Sequence, residues 1–166
     1  MKADDLKVLQ SPIKERYRET PAAALVTLRA QGKLGEGVTC KIETGKALVA
    51  AGLHPATGGN GLSACSGDML LEALVACAGV TLNAVATALG IELRDATLEA
   101  EGDLDFRGTL GVSKEAPVGF QGIRLKISLD TDATEEQKST LIRLTERYCV
   151  VFQTLVKPPG IAVSVA

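Results

Sequence analysis

The chain has 166 residues, of which 46% are hydrophobic and 23% are charged, a composition typical of one folded globular domain. Its formal net charge of −2 argues against a nucleic-acid binder that works through a basic surface. Aromatic residues make up only 3% and tryptophan is absent, which disfavours stacking platforms for bases. The reactive side chains are few, namely four cysteines and one histidine. We therefore expect any chemistry in this chain to depend on sulfur.

The first 20 residues are polar and charged and contain no apolar stretch of signal-peptide length. We interpret residues 1–20 as a polar N-terminal arm and residues 21–166 as a single domain. The four cysteines are too few for a disulfide framework, and their spacing matches no zinc motif. These features predict a cytoplasmic protein whose thiols are kept reduced.

Short apolar runs and alternating patterns predict strands along the chain. The clearest is 122–130, where four aliphatic residues alternate with polar ones. A loop with five glycines occupies 52–67, and a hairpin-type connection with glycine and proline occupies 107–121. The predicted strands are residues 25–30, 37–43, 46–51, 92–106, 122–130 and 161–165.

The first predicted helix has Ser66 as its N-cap, Asp68 in its first turn and Gly90 as its end, and its apolar segment covers residues 69–89. It is apolar on nearly all sides, which is typical of the buried centre of a soluble protein or oligomer. A membrane span is disfavoured because Glu72 and Asn83 would lie in hydrocarbon and no basic cluster flanks the segment.

The second predicted helix covers residues 134–156, with Thr134 and Gln137 as a capping box, and ends before Pro158. The resulting order of elements is βββ-α-ββ-α-β. It predicts an α+β domain with mainly antiparallel strands and two long helices.

The cysteines have different local settings. Cys40 is interpreted as a core residue of a strand, while Cys65 precedes a helix N-terminus that can lower a thiol pKa. Cys77 lies in the apolar helix, where burial alone is expected to raise its pKa and make it inert. Glu146 lies three residues before Cys149 and is expected to discourage ionisation of that thiol. A redox pair needs Cα atoms about 4.4–6.8 Å apart, a distance that spacing does not reveal.

Two runs of sequence resemble the signatures of the OsmC/Ohr family of osmotically inducible and organic hydroperoxide resistance proteins. Residues 66–77 (SGDMLLEALVAC) place an acid and a leucine-rich turn before Ala-Cys, and residues 145–151 (TERYCVV) surround the second cysteine. Both runs in this order form a fairly specific pattern. The resemblance covers about residues 25–166. It implies an OsmC-like α+β fold with two long central helices in an intertwined homodimer.

The resemblance also implies a chemistry. In the family's peroxidases, the first cysteine attacks an organic hydroperoxide and becomes a sulfenic acid, which the second cysteine converts to a disulfide. Cys77 would then be the peroxidatic cysteine and Cys149 the resolving one. An external dithiol or lipoyl-type reductant would restore the thiols. No cofactor is expected, and neither nucleic acid nor a membrane is an expected partner.

In the family, an arginine held by a glutamate stabilises the thiolate. Here Lys33 stands near the arginine position, Arg29 is a second candidate, and Asp68 stands near the glutamate position. Lysine lacks the planar fork with which arginine pairs with a carboxylate. The pattern therefore resembles an OsmC-like branch rather than the best-matched hydroperoxide reductases.

Two other interpretations remain open. One is a non-catalytic, stress-associated protein that binds a small molecule in the apolar dimer pocket, with Cys65 as an extra thiol. The other is a metal site formed by His54 and cysteines, which the ligand spacing disfavours. An ordinary surface role in the loop is the simpler interpretation of His54.

Overall fold

The structure, a computed structural model, describes the backbone of residues 3–34, 40–42 and 51–165. Side chains are described for the same residues except 3–7, 9, 28–30, 32, 34 and 40–42. The helices are α1 Ala3–Glu19, α2 Ser66–Leu89, α3 Phe106–Thr109, α4 Glu135–Tyr148 and α5 Val150–Val156. The strands are β1 Leu25–Leu34, β2 Cys40–Ile42, β3 Asp95–Asp105 and β4 Phe120–Asp130.

The four strands form one sheet in the order β2-β1-β3-β4, and β1 pairs with β2 antiparallel. Side-chain pairs show the direction of β3 and β4: Arg124 contacts Glu101, and Lys126 contacts Glu99. Lys126 follows Arg124 along β4, whereas its partner in β3 precedes the partner of Arg124. These two strands are therefore also antiparallel. The predicted α+β class with antiparallel strands is confirmed.

The chain divides into two compact units that do not follow chain order. Four elements, namely β1, α2, β3 and β4, each contribute residues to both units. The first unit comprises Met1–Ala30, Glu43–Glu72 and Glu99–Lys126. The second comprises Gln31–Ile42, Ala73–Leu98 and Ile127–Ala166.

The core of the first unit is built around a tyrosine from the N-terminal helix. Tyr17 of α1 is fully buried, together with Ala24, Phe106 and Leu110. Its hydroxyl donates a hydrogen bond of 2.7 Å to the carbonyl of Ala56. The polar N-terminal segment therefore contributes an anchor to this core.

Helix α2 begins at Ser66, the residue predicted as its N-cap, and ends at Leu89, before Gly90, as predicted. Gly90 follows with a φ of +66°, a left-handed conformation that glycine adopts without strain. Among the described residues, α2 is the one helix long and apolar enough to cross a membrane, a test that core helices of soluble proteins also pass. Five of its hydrophobic residues in the second unit are fully or almost fully buried, as expected of a core helix: Leu74, Val75, Ala78, Leu82 and Ala86.

Two predicted elements are wrong. The segment 134–156 is not one helix, because the backbone at Cys149 leaves helical geometry and separates α4 from α5. The segment 161–165 is not a strand: it lies beside no described strand, and its Ile161, Val163 and Val165 are 88–97% exposed. Alternation alone does not make a strand when no neighbour supplies backbone hydrogen bonds.

The described residues include only parts of the other predicted strands. Of the predicted strand 37–43, residues 40–42 form β2, while 37–39 and 43 lie outside the described residues. Residues 46–50 of the next predicted strand also lie outside them. The predicted strands 92–106 and 122–130 correspond to β3 and β4, and the connection between them begins with the short helix α3.

The packing of Tyr17 predicts graded losses of stability. Tyr17→Phe leaves the Ala56 carbonyl without its donor and is expected to lower the free energy of unfolding by about 1 kcal/mol. Tyr17→Ala also removes the buried ring and is expected to cost about 3–5 kcal/mol. Urea unfolding measures both. Equal stability of Tyr17→Ala and the wild type would show that α1 is not part of the core.

Candidate functional site

Two cysteines from different helices meet within the second unit. Cys77 lies in the middle of α2 and is partly exposed, whereas Cys149 lies between α4 and α5 and is fully buried. The two thiols lie close enough for each to shift the pKa of the other. Cys65, Cys77 and Cys149 are all free thiols. The structure therefore brings together the two cysteines that the family resemblance singled out.

Cys149 forms a break between two helices, at which it is both the C-cap of α4 and the N-cap of α5. Its amide donates to the Thr145 carbonyl, and its carbonyl accepts from the Gln153 amide, both at 2.9 Å. The sulfur of Cys149 accepts a hydrogen bond of 3.4 Å from the amide of Phe152. Sulfur thus occupies the N-cap role that oxygen-bearing side chains usually fill at a helix start. The thiol of Cys149 is fixed in place because it closes the first turn of α5.

The same break supplies hydrogen-bond donors to Cys77. Burial raises the pKa of the Cys77 thiol, but hydrogen bonds from the Val151 amide, the Cys149 thiol, the Val150 amide and the Thr81 hydroxyl lower it. Together these bonds outweigh burial, and the pKa lies below its usual range. Amides at the start of a helix have no partner within that helix, so they are available to an anion. The arrangement favours Cys77 as a thiolate.

Cys149 is shifted in the opposite direction. Burial, with a smaller contribution from hydrogen bonding and charge at Cys77, raises the pKa of its thiol to about 11, although the Phe152 amide acts in the opposite direction. Cys77 is therefore the more readily ionised thiol of the pair, and Cys149 the one that holds its proton. A nucleophilic sulfur beside a thiol that donates to it is suited to oxidation followed by disulfide formation.

These shifts correct part of the sequence interpretation. Burial raises the pKa of Cys77 as the sequence indicated, but donors from a distant segment outweigh it, so the net shift is downward. The upward shift expected for Cys149 agrees in direction, but burial causes it, and Glu146 is not among its causes.

The three predicted charged residues are placed as follows. Lys33 is exposed on β1, and Arg29 lies in the same strand with its side chain outside the described residues. Asp68 lies in the first turn of α2, where burial raises the pKa of its carboxyl and the charge of His54 lowers it. Among the described side chains, no lysine or arginine contributes to the pKa shift of Cys77. The roles of Lys33, Arg29 and Asp68 stay predictions.

The first unit contains a cavity of about 340 Å³ that includes the Cys65 thiol, His54 and several apolar side chains, among them Leu104, Phe106 and Phe120. The His54 ring stacks on Phe106 at 5.0 Å, and its Nδ1 accepts a hydrogen bond of 3.0 Å from the Ala56 amide. His54 lies in the predicted loop, where its partly exposed ring caps a turn. Within the described part of the chain, no cluster of three or more acidic, histidine or cysteine side chains is suited to a metal.

Residues 58–164 match the family model described as OsmC-like protein. The chain belongs to the OsmC-like family. The resemblance inferred from the two cysteine-bearing runs is thereby confirmed.

Two solved structures are similar to this OsmC-like chain. One is an OsmC-like hydroperoxide resistance protein from Jannaschia sp. CCS1, with 20% identity, a TM-score of 0.56, and coverage of 83% of this chain and 91% of the other. The second is an OsmC-like protein from Mycoplasma pneumoniae, with 16% identity, the same TM-score, and coverage of 81% and 86%. At these identities they establish the fold alone. No protein of curated function matches the sequence.

The opposite pKa shifts predict that the two thiols of this OsmC-like protein are alkylated at different pH. Iodoacetamide should label Cys77 with a midpoint below the ordinary thiol value of about 8.5. Cys149 should resist labelling at pH 7, because its pKa is about 11 and it is buried. Peptide-resolved mass spectrometry measures both. Equal labelling of the two cysteines at pH 7 would contradict the assignment.

The burial of Asp68 predicts that Asp68→Asn does not destabilise the protein at pH 7. Because the folded-state pKa is raised, ionisation of Asp68 disfavours folding at pH values above the folded pKa. The variant should therefore be at least as stable as the wild type at pH 7. Any difference in the free energy of unfolding should disappear as the pH falls below the pKa of an unfolded aspartate, about 3.9. Urea unfolding between pH 7 and pH 3.5, with Glu72→Gln as the control on the same helix, tests this. A clear loss of stability in Asp68→Asn at pH 7 would contradict it.

Proposed function

We propose that this protein is a thiol-dependent peroxidase that reduces organic hydroperoxides, with Cys77 as the peroxidatic cysteine and Cys149 as the resolving one. The contact between a thiolate-favouring sulfur and a protonated thiol carries this proposal. Membership of a family that includes hydroperoxide resistance proteins supports it.

The reaction has three steps. The Cys77 thiolate attacks the O–O bond of ROOH, giving the Cys77 sulfenic acid and an alkoxide that takes a proton and leaves as ROH. The Cys149 thiol then attacks the sulfenic sulfur, which forms the disulfide and releases water. An external dithiol reduces the disulfide to two thiols and is itself oxidised. The sum is ROOH plus dithiol giving ROH, water and the oxidised dithiol.

The surroundings of the two cysteines favour an organic peroxide. Val80, one helical turn after Cys77, is 38% exposed, and Val150, next to Cys149, is 71% exposed. Such exposed apolar side chains provide contacts for an alkyl or aryl group, which hydrogen peroxide lacks. We infer that the substrate carries an apolar group on the peroxide oxygen.

We propose a cytoplasmic homodimer as the working form, with a dithiol or lipoyl-type reductant and no cofactor. Helix α2 exposes large apolar side chains, which supports association with a second copy, since single chains rarely leave many such residues uncovered. Its exposed large side chains are Met69, Leu70, Val80 and Leu89.

We also propose that Lys33 or Arg29 adds a cation to the site and that Asp68 helps to position it. Burial disfavours the charged carboxylate of Asp68 and so lowers the stability of the folded protein. A residue that costs stability in this way is often kept for function, which supports a functional role. The four hydrogen-bond donors at Cys77 stabilise a thiolate even without a cation, so loss of the cation should lower activity rather than abolish it.

A second candidate function is binding of a small apolar molecule without turnover. The cavity of about 340 Å³ beside Cys65 favours it, because apolar side chains predominate in its lining. The two candidates differ in their dependence on cysteine: peroxidase turnover requires Cys77, whereas binding in this cavity does not.

A hydroperoxide assay tests the peroxidase proposal. Purified full-length protein with dithiothreitol or dihydrolipoamide should consume cumene hydroperoxide over many turnovers. Cys77→Ser should reduce the rate to that of the reductant alone. In the absence of reductant, Cys149→Ser should consume about one equivalent of peroxide and retain a trappable sulfenic acid at Cys77, because it lacks the resolving thiol.

Cys65→Ser is the matched control and should keep the wild-type rate. Turnover that survives in Cys77→Ser, or no turnover in the wild type with either reductant, would contradict the proposal.

A further inference from the structure

The cavity beside Cys65 lies within the first unit, and its described lining does not include Cys77 or Cys149. Its volume of about 340 Å³ is more than twice that of a cavity of about 150 Å³ that holds one benzene molecule. It therefore has room for a ligand of about two fused rings. Leu53 and Val118 line it and are 42% and 65% exposed, so part of its apolar surface is uncovered in the chain.

The wall that carries His54 is held in place by the N-terminal helix. The Tyr17 hydroxyl donates to the Ala56 carbonyl at 2.7 Å, and the Gln10 side chain donates to the Thr57 carbonyl at 3.3 Å. The Thr57 hydroxyl in turn donates to the His54 carbonyl at 2.9 Å. A pocket whose walls are already fixed loses less conformational entropy when a ligand binds, so this wall favours binding.

The described residues that line the cavity carry no carboxylate, ammonium or guanidinium group. A charged ligand would lose its hydration there without gaining an ion pair. The N-terminus of α2 also borders the cavity, but the Asp68 carboxyl in its first turn already complements the helix dipole. The lining thus favours an uncharged ligand.

His54 supplies the cavity with a hydrogen-bond donor. Its Nδ1 accepts from the Ala56 amide at 3.0 Å, so in the neutral ring the proton lies on Nε2. Among the described residues, Nε2 has no hydrogen-bond partner. The ring stacks on Phe106 at 5.0 Å, which fixes its plane beside the cavity. An uncharged ligand with one acceptor oxygen can use this donor.

We propose that this cavity binds an uncharged aromatic molecule of about two rings that carries one hydrogen-bond acceptor, such as a ketone oxygen. The rings contact Leu104, Phe106 and Phe120, and aromatic side chains pair with aromatic ligands in stacked or edge-to-face arrangements. Nε2 of His54 donates to the oxygen. The inference rests on binding as the second candidate function and adds the class of ligand; it does not depend on turnover at Cys77.

Three naphthalene compounds test the ligand class by equilibrium dialysis against the full-length protein. Acetylnaphthalene carries a ketone, naphthoate carries a charge in its place, and ethylnaphthalene lacks the oxygen. Acetylnaphthalene should bind at least about tenfold more tightly than naphthoate, because an unpaired charge is costly to bury. In His54→Phe, the affinity for acetylnaphthalene relative to ethylnaphthalene should fall about 3–10-fold, because only the ketone loses a hydrogen bond.

The place of binding is tested through Cys65. Bound acetylnaphthalene should slow the labelling of Cys65 by iodoacetamide and leave that of Cys77 unchanged. Cys65→Phe fills part of the cavity and should weaken binding by about tenfold or more, whereas Cys65→Ser, of similar size to the wild type, should not.

Thermal unfolding checks the fold of each variant. Where Cys65→Phe does not fold, Gly119→Leu replaces it, because Gly119 lines the cavity and a Cβ there meets no atom within 4 Å. Gly122→Leu is its control, since a Cβ at Gly122 is equally free of contacts and this glycine is not part of the lining.

Absence of acetylnaphthalene binding overturns the inference, and so does binding that protects Cys77 rather than Cys65 or that survives unchanged in the folded cavity-filling variant. Equal affinity for acetylnaphthalene and naphthoate, or an unchanged affinity ratio in His54→Phe, overturns the ligand class while binding as a function stands. The hydroperoxide assay is independent of these results, because a protein that binds none of the three compounds and still consumes cumene hydroperoxide would disprove this inference alone.

Discussion

The candidate site depends on the backbone at Cys149, which has a φ of −72° and a ψ of 110° and so interrupts what would otherwise be one helix. In a continuous helix, the amides of Val150 and Val151 would bond carbonyls four residues earlier. The break frees both amides for the sulfur of Cys77. The Gln153 side chain takes the Glu146 carbonyl that the break leaves without an amide, at 2.8 Å.

This break produces the difference between the two sulfurs. It directs amides at Cys77, whose pKa falls, and it buries Cys149 beneath the first turn of α5, where its pKa rises. A pair with equal pKa values would have no defined nucleophile, whereas this pair has one at Cys77. Because the donors include backbone amides, part of the thiolate stabilisation does not depend on any single charged side chain.

The sequence predicted those features that local patterns determine. The end of α2 at Gly90, the capping box of Thr134 and Gln137, and strands β3 and β4 all have clear local signals, and all are present. The break at Cys149 has none, since Tyr148 and Val150 continue a helical pattern without glycine or proline. The lowered pKa of Cys77 was missed for the same reason: its donors are backbone amides more than 70 positions away, and amide groups have no sequence signature. The family resemblance supplied the pairing that local physics left open.

The most direct test of the site is the mass of the protein after one equivalent of tert-butyl hydroperoxide in the absence of reductant. We expect a loss of about two hydrogens and a single new cross-linked peptide that joins Cys77 to Cys149, since the two thiols lie close enough to shift each other's pKa. Addition of a dithiol should restore the original mass. An unchanged mass, or oxygen added to Cys77 with no link to Cys149, would contradict it.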